Sequence, residues 1–234
     1  MPFGYTFMFE DIFTIMLGVA GFIVVMYSQI KVSSTYSKYK KVKCKRDING
    51  AEAARLILEA NGLSNIYVVE IKGDLMDHYD PNRKVVKLST DIFHGNSIAS
   101  ISVAAHECGH AIQDKEGYTF MRIRSMMIPI VNFVSYAGYF VLLVSIIASA
   151  FDYLLIGILL VISSLAFQVI TLPVEIDASK RALKELENID IADKKEIIES
   201  KNMLDAAALT YVASVISSLL SLLRLLLMFN KRRD

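Results

Sequence analysis

The chain has 234 residues, a net charge of +1, 54% hydrophobic residues and a mean hydropathy of +0.43. That hydropathy is too high for an ordinary soluble fold, and 25 basic residues nearly balanced by 24 acidic ones argue against nucleic-acid binding. Two distant cysteines, Cys44 and Cys108, cannot frame a disulfide-rich domain, and the apolar content excludes disorder, which leaves a membrane protein with a modest soluble part.

Ile12 to Ile30 is the first run long enough to cross a hydrocarbon core, which takes roughly 20 apolar residues. Glu10 and Asp11 precede it, with no Lys or Arg and no small-residue cleavage site, so residues 1–30 are predicted to be an uncleaved anchor rather than a signal peptide. Lys31 to Arg46 is basic and reads as an electrostatic attachment to anionic headgroups of the bilayer. From Asn49 the pattern turns helical. Ala53, Leu56, Ile57 and Ala60 share a stripe, and Gly62 stands where a left-handed cap is expected. Ile66 to Ile71 and Lys84 to Ser89 read as strands, Asp80 to Arg83 as a turn, and Ser97 to Gln113 as a helix. Residues 31–125 are thus expected to form a small α+β unit, too small to be very stable alone.

Met126 to Ala150 and Tyr153 to Leu172 predict a two-span hairpin over residues 126–173, joined by a turn at 151–153. Residues 174–206 are charged and helical in pattern, and 207–234 hold a final apolar run, Ala206 to Phe229. The expectation is a membrane α-helical bundle of about four segments. Basic residues orient it: 15 fall in 31–125 and 6 in 174–206, so the positive-inside rule places both on the cytoplasmic side of the cell membrane. Lys231, Arg232 and Arg233, together with Arg224 inside the run, dissent, and leave the last segment either spanning or interfacial. A cytoplasmic setting makes both cysteines free thiols. Cys108 is a buried small side chain or, less in keeping with the type, a ligand or nucleophile.

His106-Glu-Cys-Gly-His110 stands within the predicted helix. Positions i and i+4 share one helix face, so the two imidazoles can meet one zinc ion, as metal ligands. Glu107 projects beside that ion, where it can act as general base to an activated water. Ile98, Ile101, Val103, Ala104, Ala105, Ala111 and Ile112 make the helix apolar on most faces, and polar groups in such a helix are costly without a partner. A catalytic zinc needs a third protein ligand. His78 and His94 remain, but Glu175-Ile-Asp177 after Pro173 is the better source. Glu175 and Asp177 point apart on a helix, so one is expected on the metal and the other behind a ligand histidine. The alternative is that both acids serve a helix N-terminus.

With these blocks in hand the chain resembles the YugP-like family of bacterial membrane neutral zinc metallopeptidases. The resemblance rests on Asn49 to Leu58, Asp77-His-Tyr-Asp-Pro81, Val103 to Gln113, Leu172-Pro-Val-Glu-Ile-Asp-Ala-Ser179 and Ala206 to Ala213. It implies a multi-pass protein with a gluzincin-type, zincin-like unit, zinc on His106, His110 and a downstream carboxylate, and a catalytic Glu107. The layout is also similar to CAAX-prenyl and heat-shock membrane metalloproteases, whose third-ligand motif is Glu-x-x-Ala-Asp. Here Glu175 and Ala178 match and Ser179 replaces the acid, so Asp177 is the candidate substitute in the outer shell. The implied fold puts a strand edge above the zinc helix for a peptide substrate, and Val85 to Ser89 is the expected strand. His78 and Tyr79 either stabilise the oxyanion or belong to a turn, and Tyr211 either does so or packs a helix.

The reading is a membrane-integral zinc metalloendopeptidase facing the cytoplasm, acting on proteins or peptides near the membrane. A non-catalytic zinc-containing membrane module for binding or chaperoning partners is the alternative, and the intact Glu107 speaks against it. A transporter would need more polar groups in its spans than Asn132, Gln168 and Arg224.

Overall fold

The computed structural model describes residues 3–73, 76–148 and 153–231. The order is α1 (Phe3–Tyr39), α2 (Gly50–Ala60), β1 (Tyr67–Ile71), β2 (His78–Asp80), β3 (Val85–Ser89), α3 (Thr90–His94), α4 (Ile98–Glu116), α5 (Thr119–Ala148), α6 (Tyr153–Asn188) and α7 (Lys194–Lys231). The chain divides into a helical unit of residues 1–29, 123–171 and 210–234, and a mixed unit of residues 30–122 and 172–209.

In the helical unit the apolar runs form long helices. Among the described residues three are long and apolar enough to cross a membrane: Ile12–Tyr39, Leu154–Asn188 and Lys194–Asn230. The fourth expected segment falls on α5, which ends at Ala148; the rest of it and most of the expected turn at 151–153 lie outside the described residues. Arg224, the charge that complicated the last segment, lies against α1. A Cβ placed on Gly18 would sit 3.2 Å from its Nη1, so the glycine leaves the room that the guanidinium uses.

The mixed unit is built on α2 and α4. Asn49 caps α2 in a reciprocal box: its side chain accepts from the Glu52 amide at 2.9 Å, and the Glu52 carboxylate accepts from the Asn49 amide at 2.9 Å. Gly62 has φ +64°, as expected for the end of this helix. Ser97 caps α4 by accepting from the Ser100 amide, and Gly117 ends it at φ 66°. Ile57, Leu58, Leu88, Ile92, Ile98, Ile101, Leu186 and Ile191 are fully buried in one cluster. Each such side chain contributes about 1.5–3 kcal/mol relative to exposure, which fixes α4 between α2, the sheet and the C-terminal half of α6.

The sheet corrects one expectation. Its order is β1-β3-β2, with β3 parallel to β1 and antiparallel to β2. Val85–Ser89 is therefore the central strand, hydrogen-bonded on both sides, and has no edge for a peptide. The edges are β1 and β2. β2 itself was unforeseen, because three residues beside a turn show no readable alternation; so was the five-residue α3.

A second correction concerns Pro173. It does not precede a helix but lies inside α6, which continues unbroken to Asn188. Proline removes one backbone donor and crowds the preceding turn, a cost of roughly 3 kcal/mol in an isolated helix. The acids at 175 and 177 consequently lie mid-helix and do not serve a helix N-terminus. Likewise α1 runs on through Lys31 to Tyr39, and α7 is continuous from 194 to 231 across the expected boundary at residue 206.

Candidate metal centre

The geometry of α4 brings His106 and His110 to one face, as their spacing requires. Their rings meet edge to face with centroids 4.8 Å apart. Across from them α6 presents Glu175, buried to 3% exposure. Glu175 Oε2 lies 3.2 Å from His106 Nε2 and 3.6 Å from His110 Nε2. The three donor atoms fall within 4.8 Å of one another. A tetrahedral zinc ion with ligands at about 2.05 Å holds neighbouring donors about 3.3 Å apart, so two imidazole nitrogens and a carboxylate at these separations fit that ion.

The close approach of α6 depends on Gly109, between the ligands. A Cβ there would sit 2.5 Å from the carbonyl oxygen of Ala178, which is itself fully buried. The fourth residue of the motif is small because the backbone of α6 occupies its space. Cys108 points the other way, with its thiol donating to the Ala54 carbonyl at 3.5 Å and burial pushing its pKa well up. It lies outside the cluster of His106, His110 and Glu175, and both cysteines are free and buried.

The far nitrogens of both imidazoles are also held. His110 Nδ1 lies 3.0 Å from Gln113 Oε1, and the Gln113 amide donates to the Val174 carbonyl at 2.8 Å and to Asp177 Oδ2 at 2.8 Å. Asp177 in turn accepts from Arg181, whose other end pairs with Glu116 at 2.6 Å. Ser179 Oγ lies 3.2 Å from His106 Nδ1. With both Nδ1 atoms engaged, both Nε2 atoms are left for a metal. Asp177 is thus not in the cluster of three; it reaches His110 through Gln113. Ser179, in the position where related motifs carry an acid, holds His106 directly. Gln113 was not read as a site residue, although its place three residues after His110 puts it on the ligand face.

Glu107 is 7% exposed and its Oε2 accepts from the Tyr79 amide at 2.9 Å. Burial, aided by the charges of Glu175 and Asp77 and opposed by His106, pushes its carboxyl up to about 7. Tyr79 is anchored by its hydroxyl, which donates to Asp114 at 2.8 Å. Its side chain is committed to the core, while its main chain serves Glu107. His78 is exposed on β2 with Nδ1 2.8 Å from the Met76 carbonyl. Nothing among the described residues draws it to the cluster. Tyr211 lies on α7, in the helical unit.

Comparison with known proteins agrees with this chemistry. A family model described as "Putative neutral zinc metallopeptidase" matches residues 14–230. The "Putative membrane protease YugP" of Bacillus subtilis (strain 168) is 40% identical over 220 residues, covering 94% of this chain and 98% of that protein. No solved structure matches the chain.

Proposed function

The chain belongs to the neutral zinc metallopeptidase family, and from that premise we infer that it is a membrane-integral zinc metalloendopeptidase whose base is Glu107. The observation that carries the reading is the convergence of His106, His110 and Glu175 with Glu107 beside them. His106, His110 and Glu175 would hold the ion, and zinc so bound supplies Lewis acidity for the scissile carbonyl and for water.

The protein's own groups do the rest. Gln113 and Ser179 set the imidazoles so that Nε2 faces the ion, and Gly109 admits the helix that brings Glu175. Glu107, held by the Tyr79 amide, takes the proton of the attacking water and returns it to the leaving amine. A carboxyl whose affinity for a proton lies near neutral is suited to both acts. The substrate strand is assigned to β2 in place of β3, because β2 is the sheet edge next to Glu107. His78 and Tyr211 are given no part in the chemistry.

α5 is taken as a fourth membrane segment, and the unit carrying the cluster is placed in the cytoplasm. The asymmetry of basic residues supports both assignments, with 21 of 25 in 31–125 and 174–206. Substrates are proteins or peptides at the membrane face. Glu107→Gln tests the reading. It should retain zinc and lose peptide cleavage by at least about 100-fold, measured on detergent-purified protein with a casein or fluorogenic peptide substrate. Unimpaired turnover would overturn it.

A further inference from the structure

The mixed unit holds a second polar site, remote in sequence from the metal ligands. It is an open groove of about 650 Å³ between the last turns of α1 and the first turns of α7. On α1 its wall is Lys31, Ser34, Thr35 and Lys38, at spacings of three and four residues that bring all four to one helix face. On α7 the facing positions include Asn202, Asp205 and Leu209, again at helical spacing.

Charge in the groove is unequally committed. Asp205 pairs with Lys201 on its own helix. Asn202 donates to the Tyr39 hydroxyl at 3.3 Å, which fixes the floor, and the Lys38 ammonium rests 4.8 Å from the Tyr39 ring centroid. Neither Lys31 nor Lys38 is tied to a carboxylate among the described residues, although Lys40 and Lys45, on the same basic stretch, both are. Two ammonium groups not tied to a carboxylate among the described residues, two turns apart on one helix face with the Thr35 hydroxyl between them, make a receptor for a phosphate-type anion, while the Ser34 hydroxyl donates to the Lys31 carbonyl at 3.0 Å.

The placement along the chain selects the source of that anion. Lys31 follows directly on the predominantly apolar 19-residue run Ile12 to Ile30, which at 1.5 Å per residue spans about 28 Å, close to the thickness of a hydrocarbon core. Leu209 stands at the start of the apolar run of α7. A ligand with a phosphodiester head and acyl chains would find cations along the groove and apolar helix surface next in sequence to both of its walls. We propose that this groove is a discrete binding site for the headgroup of one anionic phospholipid, recognised by Lys31 and Lys38 with Thr35. It is separate from a diffuse electrostatic attachment of the whole Lys31–Arg46 stretch, and it does not depend on the protease reading.

The experiment is native mass spectrometry of the full-length protein in detergent, titrated with dioleoylphosphatidylglycerol or dioleoylphosphatidylcholine, with and without millimolar inorganic phosphate. One phosphatidylglycerol should be retained per chain in preference to phosphatidylcholine, and phosphate should not displace it. Lys31→Ser/Lys38→Ser should weaken retention at least tenfold, Lys31→Arg/Lys38→Arg should preserve it, and Lys41→Ser/Lys43→Ser, which removes the same charge outside the groove, should leave it unchanged. Zinc content of each variant reports on folding, and the Arg pair keeps the test decisive if the Ser pair misfolds, since it must then bind like wild type. Equal loss on removing Lys41 and Lys43 would replace the site with diffuse attraction. Equal retention of the two lipids, or displacement by phosphate, would overturn the lipid assignment.

Discussion

Replacing Gln113 by Met isolates the support behind the metal ligands. Gln113 is fully buried and has three polar contacts: one to His110 Nδ1 at 3.0 Å and two donated by its amide, to Val174 O and Asp177 Oδ2, each at 2.8 Å. Methionine has nearly the same length and fills the same space, so the loss is of hydrogen bonds and not of volume. Two costs follow. The His110 Nδ1–H is left buried without its acceptor, about 1–3 kcal/mol of stability. The imidazole is also no longer oriented, which for a partner behind a metal ligand weakens binding about 10–100-fold, or roughly 1.4–2.7 kcal/mol. Zinc affinity is read by competition against a chromophoric chelator, and stability by thermal unfolding of the metal-free protein. Gln113→Glu keeps an acceptor for His110 but loses the donor to Val174 and sets a charge beside Asp177. It should bind zinc better than the Met variant while being no more stable. If Gln113→Met binds zinc as tightly as wild type, the imidazole needs no outer support and the reasoning fails.

Glu175→Ala should lose bound zinc altogether, whereas Asp177→Ala, one step further from the ion, should keep it with weaker affinity; metal analysis of the two proteins side by side decides, and the reverse pattern would exchange their roles. Gly109→Ala sets a methyl 2.5 Å from the Ala178 carbonyl, and should cost about 1–3 kcal/mol and weaken zinc by pushing α6 away; an unchanged zinc affinity would mean that the helices separate freely. On the alkaline side, burial, with Asp114 adding to it, raises the Tyr79 phenol above its usual 10.0. The folded protein then keeps a proton that the unfolded chain loses, so this group's contribution is whole below about pH 10 and declines as pH rises through and beyond it. Tyr79→Phe should flatten that decline in a series of unfolding curves between neutral pH and pH 11, and an unaltered slope would show that the phenol titrates freely.

Much of the metal centre could be read from the chain because its parts are local. The step from His106 to His110 is one helical turn, the apolar residues around them demand a buried helix, and Ser97 and Gly117 mark its ends by their own chemistry. Asn49 and Glu52 likewise announce the start of α2. Such features depend on spacing along one backbone, which the sequence states directly. The naming of Glu175 over Asp177 needed likeness to a known motif, since spacing alone left the two open.

What the chain could not state is how α4, α6 and the sheet turn toward one another. Whether Asp177 or Ser179 supports a histidine depends on the rotation of α6 about its axis. The packing resolves it by giving His106 to Ser179 and His110 to Gln113. α6 continues through Pro173, where local rules for that residue point the other way. β3 reads as an edge strand until the three residues of β2, too few to show a period, are seen to cover it. Spacing along one backbone therefore marked His106, Glu107 and His110 as candidates, while contacts between segments tens of residues apart decided the approach of Glu175, the partners of both imidazoles and the free edge of the sheet. Those contacts are set by side-chain volume and backbone clearance in three dimensions, as at Gly109, where the space for one methyl group is already filled by another helix.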